Sequence, residues 1–543
     1  MAFVNIQAKA QDRCFLLVED FEVMRGVLKG LLLRCGAKRV DTAASGREAV
    51  ALLRKNSYDA VMCDYNLGEG KSGQMLLEEA RHHGWVTPAT VWIMITAEKT
   101  SDMVAVAAED APDEYLLKPI TEAALQGRMD KLIERKASLA PIAKAMRHRD
   151  WRAALKLCEE QLASGCKAPA EVMRIQADLC VRLGDYAKAQ AAYQVVLQRA
   201  AVPWAKLGLA NVLMLQKQSQ AARGLLQEVI RDHPQYLEAY DTYAQLLAAE
   251  GQHRQQLAVL ERAAQISPNA PSRQAALGHA ALKQGDTEMA AAAFKKALKL
   301  GEHSDIERLD PYLGLARIHT ETGAPDQAQK VLQDLRARFD SERADVMACA
   351  EEVRLHRATG NTAAAEALAK QVCERAQDPL TALDPEASVR LAQVLMEAGQ
   401  VDQASDLLGF VTRNNHDDEA VVRRAQQVFD AAGLADRGAE LLATARRQAT
   451  ESMSEGVRLM AQGDLAGALE SLRGAKLSMP QNARVLLNFA AVALTALDKG
   501  TASGLLIGET RDCLAAAARL RPGDDRVRQL GERLKAHDPF AMG

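Results

Sequence analysis

The chain has 543 residues, 48% of them hydrophobic and only 4% aromatic, with a formal net charge of −3. Residues 1–120 carry 14 Lys+Arg against 17 Asp+Glu and the remainder 54 of each, so no basic block invites nucleic acid, and no run of about 18 apolar residues invites a membrane. Nine scattered cysteines without a CxxC pair fit a reducing, cytoplasmic setting better than a disulfide framework.

Up to about residue 120, short apolar runs alternate with amphipathic stretches. Cys14–Val18 reads as a strand, and Phe21–Leu33 as a helix stopped by Gly36. Arg39–Ala43 is a second strand, after which Ser45 can cap a helix over Arg47–Lys55. Asp59–Cys63 is a buried-strand run, Lys71–His83 is helical, and Val91–Ile95 and Glu114–Leu117 are the fourth and fifth strands. Strands alternating with helices predict a parallel sheet covered on both faces, whose chemistry sits beyond the carboxyl ends of the strands.

Those ends hold Glu19-Asp20, Asp64, Thr96 and Lys118-Pro119. Converging carboxylates repel one another, and a hard divalent cation relieves that repulsion, so Mg²⁺ is the expected cofactor. An Asp beside Mg²⁺ is placed to attack a phosphoryl group, because the metal neutralises charge building on the oxygens. Alone, Thr96 reads as a helix cap, Lys118 as a surface lysine and Tyr115 as half-buried packing. Together, Val18-Glu-Asp-Phe21, Asp64, Ile95-Thr-Ala97 and Tyr115-Leu-Leu-Lys-Pro119 closely resemble the receiver domain of two-component response regulators, over about residues 12–137.

The resemblance implies a flavodoxin-like five-stranded sheet of order 2-1-3-4-5. It implies that Glu19 and Asp20 hold Mg²⁺ with Asp64 and the backbone carbonyl of Asn66, and that Asp64 takes a phosphoryl group from a histidine kinase or phosphotransfer protein. Thr96 and Lys118 would contact the phosphoryl oxygens, Tyr115 would follow the state of the site, and the Lys118–Pro119 peptide would be cis. One departure stands out. Asp64 is followed by Tyr-Asn-Leu-Gly-Glu-Gly-Lys-Ser-Gly73, where the family often has Met-Pro and one residue fewer. The longer loop removes no ligand.

After about residue 121 the strand signal ends. Gly184, Gly251, Gly285, Gly323, Gly360, Gly399, Gly433 and Gly463 recur at a spacing near 34, with one degenerate copy expected near Lys217. Ala189, Ala290, Ala328, Ala365, Ala404 and Ala468 each lie five residues after such a glycine, and Ala244, Gly278, Ala392 and Gly456 lie seven before one. Small residues let paired helices approach, and Gly permits the turn between them. The copy Leu277-Gly-His-Ala-Ala-Leu-Lys-Gln-Gly-Asp286, followed by Ala290, Phe294 and Ala297, resembles the tetratricopeptide repeat family. That implies an all-α superhelical solenoid of about nine to eleven copies.

The expected domains are a tail at 1–12, the receiver at 13–137, repeats at 138–522, and a capping helix with tail at 523–543. The fifth receiver helix, Glu122 to about Lys136, runs on towards Ala140 without a flexible linker, which predicts that the receiver packs on the first repeat near Trp151. No Walker A loop, dinucleotide fingerprint, GxSxG elbow or HExxH is present, and His82-His83, Cys63 and Lys295-Lys296 read as ordinary surface or packing residues. The chain is therefore expected to be no enzyme beyond its own aspartyl phosphorylation and dephosphorylation. Its function is read as a response regulator whose repeats bind an output protein under phosphate control, with a face that could serve a homodimer. The alternative is a scaffold, adaptor or chaperone-like protein whose receiver docks independently of phosphate.

Overall fold

A computed structural model describes residues 13–68, 70–96, 112–147, 150–166, 168–304, 306–378, 383–500, 504–520 and 524–537. The N-terminal tail, residues 97–111, Pro522 and the extreme C-terminus lie outside the described residues. Strands β1 (Cys14–Val18), β2 (Arg39–Ala43), β3 (Ala60–Asp64), β4 (Val91–Thr96) and β5 (Glu114–Leu117) form one sheet of order β2-β1-β3-β4-β5, parallel throughout. The expected order is observed.

Alternation along the strands splits the core in two. Phe15, Leu17, Met62, Ile93 and Ile95 bury against Leu28 and Leu32 of α1 (Glu22–Arg34) and Leu125 and Met129 of α4 (Glu122–Ala137). Leu16, Val18, Val61, Cys63, Trp92 and Met94 bury against Ala49 and Leu53 of α2 (Gly46–Lys55) and Leu76 and Leu77 of α3 (Gly73–His82). Ser45 caps α2 by accepting from Glu48 N, as its position before the helix suggests.

Beyond the sheet the described residues are helical. The helices pair across turns at which φ becomes positive: Gly184, Lys217, Gly251, Gly285, Gly323, Gly360, Gly399, Gly433, Gly463 and Gly500. Lys217, at φ 62°, is the degenerate copy's turn, made without glycine. Ala189, Ala290, Ala328, Ala365, Ala404 and Ala468 are all fully buried. Gly278 shows why the position seven before the turn stays small: a Cβ there would come within 2.6 Å of the Phe294 ring. After the turn, Asp185, Asp286, Asn361 and Asp464 cap the second helix by accepting a hydrogen bond from the amide three residues on.

The shorter spacing between Gly433 and Gly463 has its own explanation. A single 27-residue helix, Ala435–Ala461, joins the two turns. Its first half packs Gly438 against Phe429 and its second half Gly456 against Leu472, so one helix serves two hairpins and the turn between repeats is gone.

The chain divides into two compact units, Met1–Pro311 and Tyr312–Gly543. The first contains the sheet and the early hairpins. Helix α4 ends at Ala137, and the helix Ala140–Arg147 begins after Ser138-Leu139 with Pro141 in its first turn. Leu139 and Ile142 are buried with Ala154, Cys158, Val172 and Leu179, and Trp151 packs against this cluster. Gln161 Nε2 donates to the Ser138 carbonyl at 2.8 Å, and Arg135 pairs with Glu171 at 3.1 Å. A second tie lies 230 residues apart in sequence: the Arg308 guanidinium donates to Glu78 on α3.

Candidate functional site

The carboxyl ends of β1, β3 and β4 and the turn after β5 meet at one edge of the sheet. β1 runs directly into Glu19, whose amide donates to the Ala43 carbonyl at 3.1 Å. Arg25, one turn into α1, donates to the Glu19 carbonyl at 2.8 Å and the Asp20 carbonyl at 3.2 Å. This clamp fixes the acidic turn, and no spacing in the sequence announces it.

Glu19 and Asp64 are buried while Asp20 is exposed, and carboxylate oxygens of the three residues lie within 4.8 Å of one another. Lys118 reaches across from the end of β5. Its Nζ lies 2.6 Å from Asp64 Oδ2 and 2.9 Å from Glu19 Oε2, and its amide donates to the Thr96 carbonyl at 2.9 Å. The Lys118–Pro119 peptide is cis.

The charges answer to this crowding. Burial raises the Glu19 carboxyl above its ordinary value, against the lowering effect of its bond to Lys118, and the nearby Asp64 raises it further. Burial alone would lower the Lys118 ammonium, but its bonds to Asp64 and Glu19 outweigh that and hold it above its ordinary value. The lysine is therefore firmly cationic. Two buried carboxylates and one exposed carboxylate around one ammonium leave an excess of negative charge, and the all-oxygen donor set suits a hard divalent cation.

Thr96, at the end of β4, is buried, and Tyr115 pairs in register with Met94 on the neighbouring strand. Tyr115 is half-buried, and burial pushes its hydroxyl up to about 12. The Asn66 amide lies 3.4 Å from Asp64 Oδ1, which puts residue 66 beside the acidic group. The long loop after Asp64 folds back on the site. Gly68, at φ 73°, comes close enough to Asp20 that a Cβ would sit 3.2 Å from its Oδ2.

The loop returns to the sheet at Gly73, the first residue of α3, whose amide donates to the Tyr65 carbonyl at 2.9 Å. A Cβ at Gly73 would overlap the Asp64 carbonyl oxygen and lie 2.9 Å from Met94 Sδ. Beside it, Lys71 and Glu79 form an ion pair of 2.7 Å in which Glu79 is fully buried. Neither the Gly73 approach nor this pair is visible in residue spacing.

Residues 15–130 match the family model "Response regulator receiver domain". Tetratricopeptide repeat models match residues 144–203, 204–236, 281–348 and 356–429. Among curated relatives, chemotaxis protein CheY-3 of Vibrio cholerae serotype O1 is 35% identical over 120 residues, which is 22% of this chain and 91% of that protein. Chemotaxis protein CheY of Pseudomonas aeruginosa is 32% identical over 120 residues, 22% of this chain and 95% of its own length. A crystal structure of a response regulator receiver domain protein from Clostridium thermocellum is 29% identical, covering 23% of this chain and 98% of that one with a TM-score of 0.22.

Proposed function

Because the chain belongs to the response-regulator receiver family through residues 15–130 and continues into tetratricopeptide repeats, we propose that it is a phosphorelay response regulator whose Asp64 accepts a phosphoryl group and whose repeats bind an output protein. The observation that carries this reading is Lys118 Nζ standing 2.6 Å from Asp64 and 2.9 Å from Glu19 at the edge of the sheet. An ammonium held cationic at that point neither blocks nor protonates the Asp64 oxygen, and it pairs with phosphoryl oxygens as they arrive.

In the proposed transfer, an Asp64 oxygen bonds to phosphorus as the bond from phosphorus to a donor histidine's ring nitrogen breaks, and that nitrogen takes up a proton from solvent. Glu19, Asp20, Asp64 and the Asn66 carbonyl are the groups that would hold Mg²⁺, which when bound offsets charge on the phosphoryl oxygens. The Thr96 hydroxyl would donate to a phosphoryl oxygen, and Tyr115 would repack as Thr96 moves. The donor is a histidine kinase or phosphotransfer protein, and the chain catalyses no reaction on other molecules. Its free cysteines support a cytoplasmic setting, and among the described residues no helix is long and apolar enough to cross a membrane.

For the output, hairpin repeats offer grooves rather than a catalytic centre. One such groove of about 510 Å³ is floored by Tyr240, Tyr243, Ile230 and Val259 and flanked by Arg231 and Arg262. The test is phosphoryl transfer itself. A small-molecule phosphodonor with Mg²⁺ should add one phosphoryl group to the full chain by intact mass and none to Asp64→Asn. Equal labelling of both proteins would refute the assignment.

A further inference from the structure

We infer that α3 is the receiver's docking surface for the chain's own repeats, with Ser304 and residues 306–309 as its partner, and that phosphorylation of Asp64 opens this latch. The inference rests on the phosphoacceptor reading above and goes beyond it by naming the surface that reads the phosphate.

Three observations carry it. The first is the ion pair itself. Glu78 lies on the face of α3 turned from Leu76, Leu77 and Ala80, which pack into the sheet, and it accepts from the Arg308 guanidinium. Arg308 is in turn braced by Ser304, whose hydroxyl accepts from Arg308 Nη1 at 3.0 Å and which is itself buried. Ile306 and Leu309 on the same segment are also buried.

The second is Gln74, one turn before Glu78 on the same side of α3. Its amide oxygen is shut off from water. Gln74 and Glu78 are both only partly open to solvent, so this side of α3 is covered in part. The third is the fold itself, since residues up to Pro311 cluster into one compact unit with the sheet. Among the described residues, the repeats are therefore held to the receiver through α4 at Arg135 and Ser138 and through α3 at Glu78.

The link from Asp64 to the latch is short and stiff. The first turn of α3 is wedged against Asp64, since Gly73 has no room for even a Cβ beside the Asp64 carbonyl oxygen. Phosphorylation replaces the single negative charge of the Asp64 carboxylate by an acyl phosphate of about −1.5 to −2, a modest gain in charge but three added oxygens, in a site already crowded with carboxylates. When the loop and the β3 end adjust, α3 moves as a rigid element carrying Glu78, and a side-chain hydrogen bond weakens steeply with even small displacement and misalignment. Opening then exposes Ser304 and residues 306–309, which lie at the entry to the helix Asp310–Glu321.

The experiment is hydrogen exchange on the full chain, read at Ser304 and residues 306–309. In unphosphorylated protein, Glu78→Arg and Arg308→Glu should each speed exchange there by at least about threefold, and the double charge swap should restore protection. Small-molecule phosphodonor with Mg²⁺ should bring wild type to the rate of the single variants and leave Asp64→Asn unchanged. A swap that fails to restore protection overturns the latch. Phosphoryl incorporation at Asp64 with unchanged exchange at Ser304 and residues 306–309 overturns the coupling while leaving the phosphoacceptor reading intact. Failure of Asp64 to be labelled overturns both.

Discussion

Replacing Gly73 by alanine tests whether the phosphoacceptor and α3 are packed as one piece. The added Cβ would overlap the Asp64 carbonyl oxygen and sit 2.9 Å from Met94 Sδ. The methionine can yield by changing rotamer, but the carbonyl cannot, because it belongs to a strand paired on both sides. Overpacking of this kind costs about 1–3 kcal/mol, and backbone on one side argues for the upper half of that range. At about 1.4 kcal/mol per tenfold, amides of β3 and β4 that exchange by unfolding of the sheet should exchange roughly 25- to 150-fold faster. Phosphoryl incorporation should slow as well, since the strand end carrying Asp64 must shift. Gly127→Ala is the matched control. It lies exposed within α4 with nothing within 4 Å of an added Cβ, so alanine should stabilise by about 0.5–1 kcal/mol through backbone entropy alone. If Gly73→Ala and Gly127→Ala shifted β3 exchange in the same direction, the wedge argument would fail.

Three further outcomes follow from the structure. Asp286→Ala removes the side chain that accepts from the Met289 amide at 2.9 Å and should cost about 1 kcal/mol, seen as roughly fivefold faster exchange in the first turn of Thr287–Leu300; unchanged exchange would mean that the cap contributes nothing. Removal of divalent cations by a chelator should abolish labelling of Asp64 by a small phosphodonor, with Mg²⁺ restoring it, and labelling that persists without divalent cations would contradict the role given to Glu19 and Asp20. Glu397 accepts from Gln393 at 2.9 Å, Arg317 at 2.9 Å and Arg354 at 3.1 Å. Burial would raise its carboxyl, but those partners outweigh burial and hold it below the ordinary value. A depressed carboxyl stabilises the fold above its unfolded value of roughly 4.3 and loses that contribution as pH falls. Thermal unfolding of the chain between roughly pH 5 and pH 3 should therefore be steeper in wild type than in Glu397→Gln, and parallel slopes would dismiss Glu397 as the titrating group.

What could be read in advance divides along physical lines. Strand-end acids, the lysine before a proline, and glycines recurring near every 34 residues are local signals, because strand topology and helix pairing repeat the same constraint at fixed spacing. Even the irregular copy at Lys217 left a gap of the right length. The contacts that organise the site are not local. Arg25 reaching back to the Glu19 and Asp20 carbonyls, Gly73 against Asp64, and Arg308 on Glu78 depend on which loops meet in space, and each uses a residue type common on any surface. The fused helix is intermediate. Its sign was the interval of 30 between Gly433 and Gly463, too short for two helices and two turns, but an interval alone does not say which turn has been lost.

That fused helix also bears on how the second unit comes apart. In an ordinary repeat array each hairpin is a module with its own boundary, and stability is close to a sum over modules and their neighbours. Across Ala435–Ala461 no boundary exists. A continuous rod of about 40 Å belongs to the hairpin closed at Gly433 and to the one closed at Gly463, so fraying of one strips hydrogen bonds from the core of the other. The array therefore behaves there as a single melting block rather than two. A protease or a truncation can divide the chain between hairpins, at Pro234 or Pro268, but any cut between Leu434 and Gln462 severs a structure common to both sides.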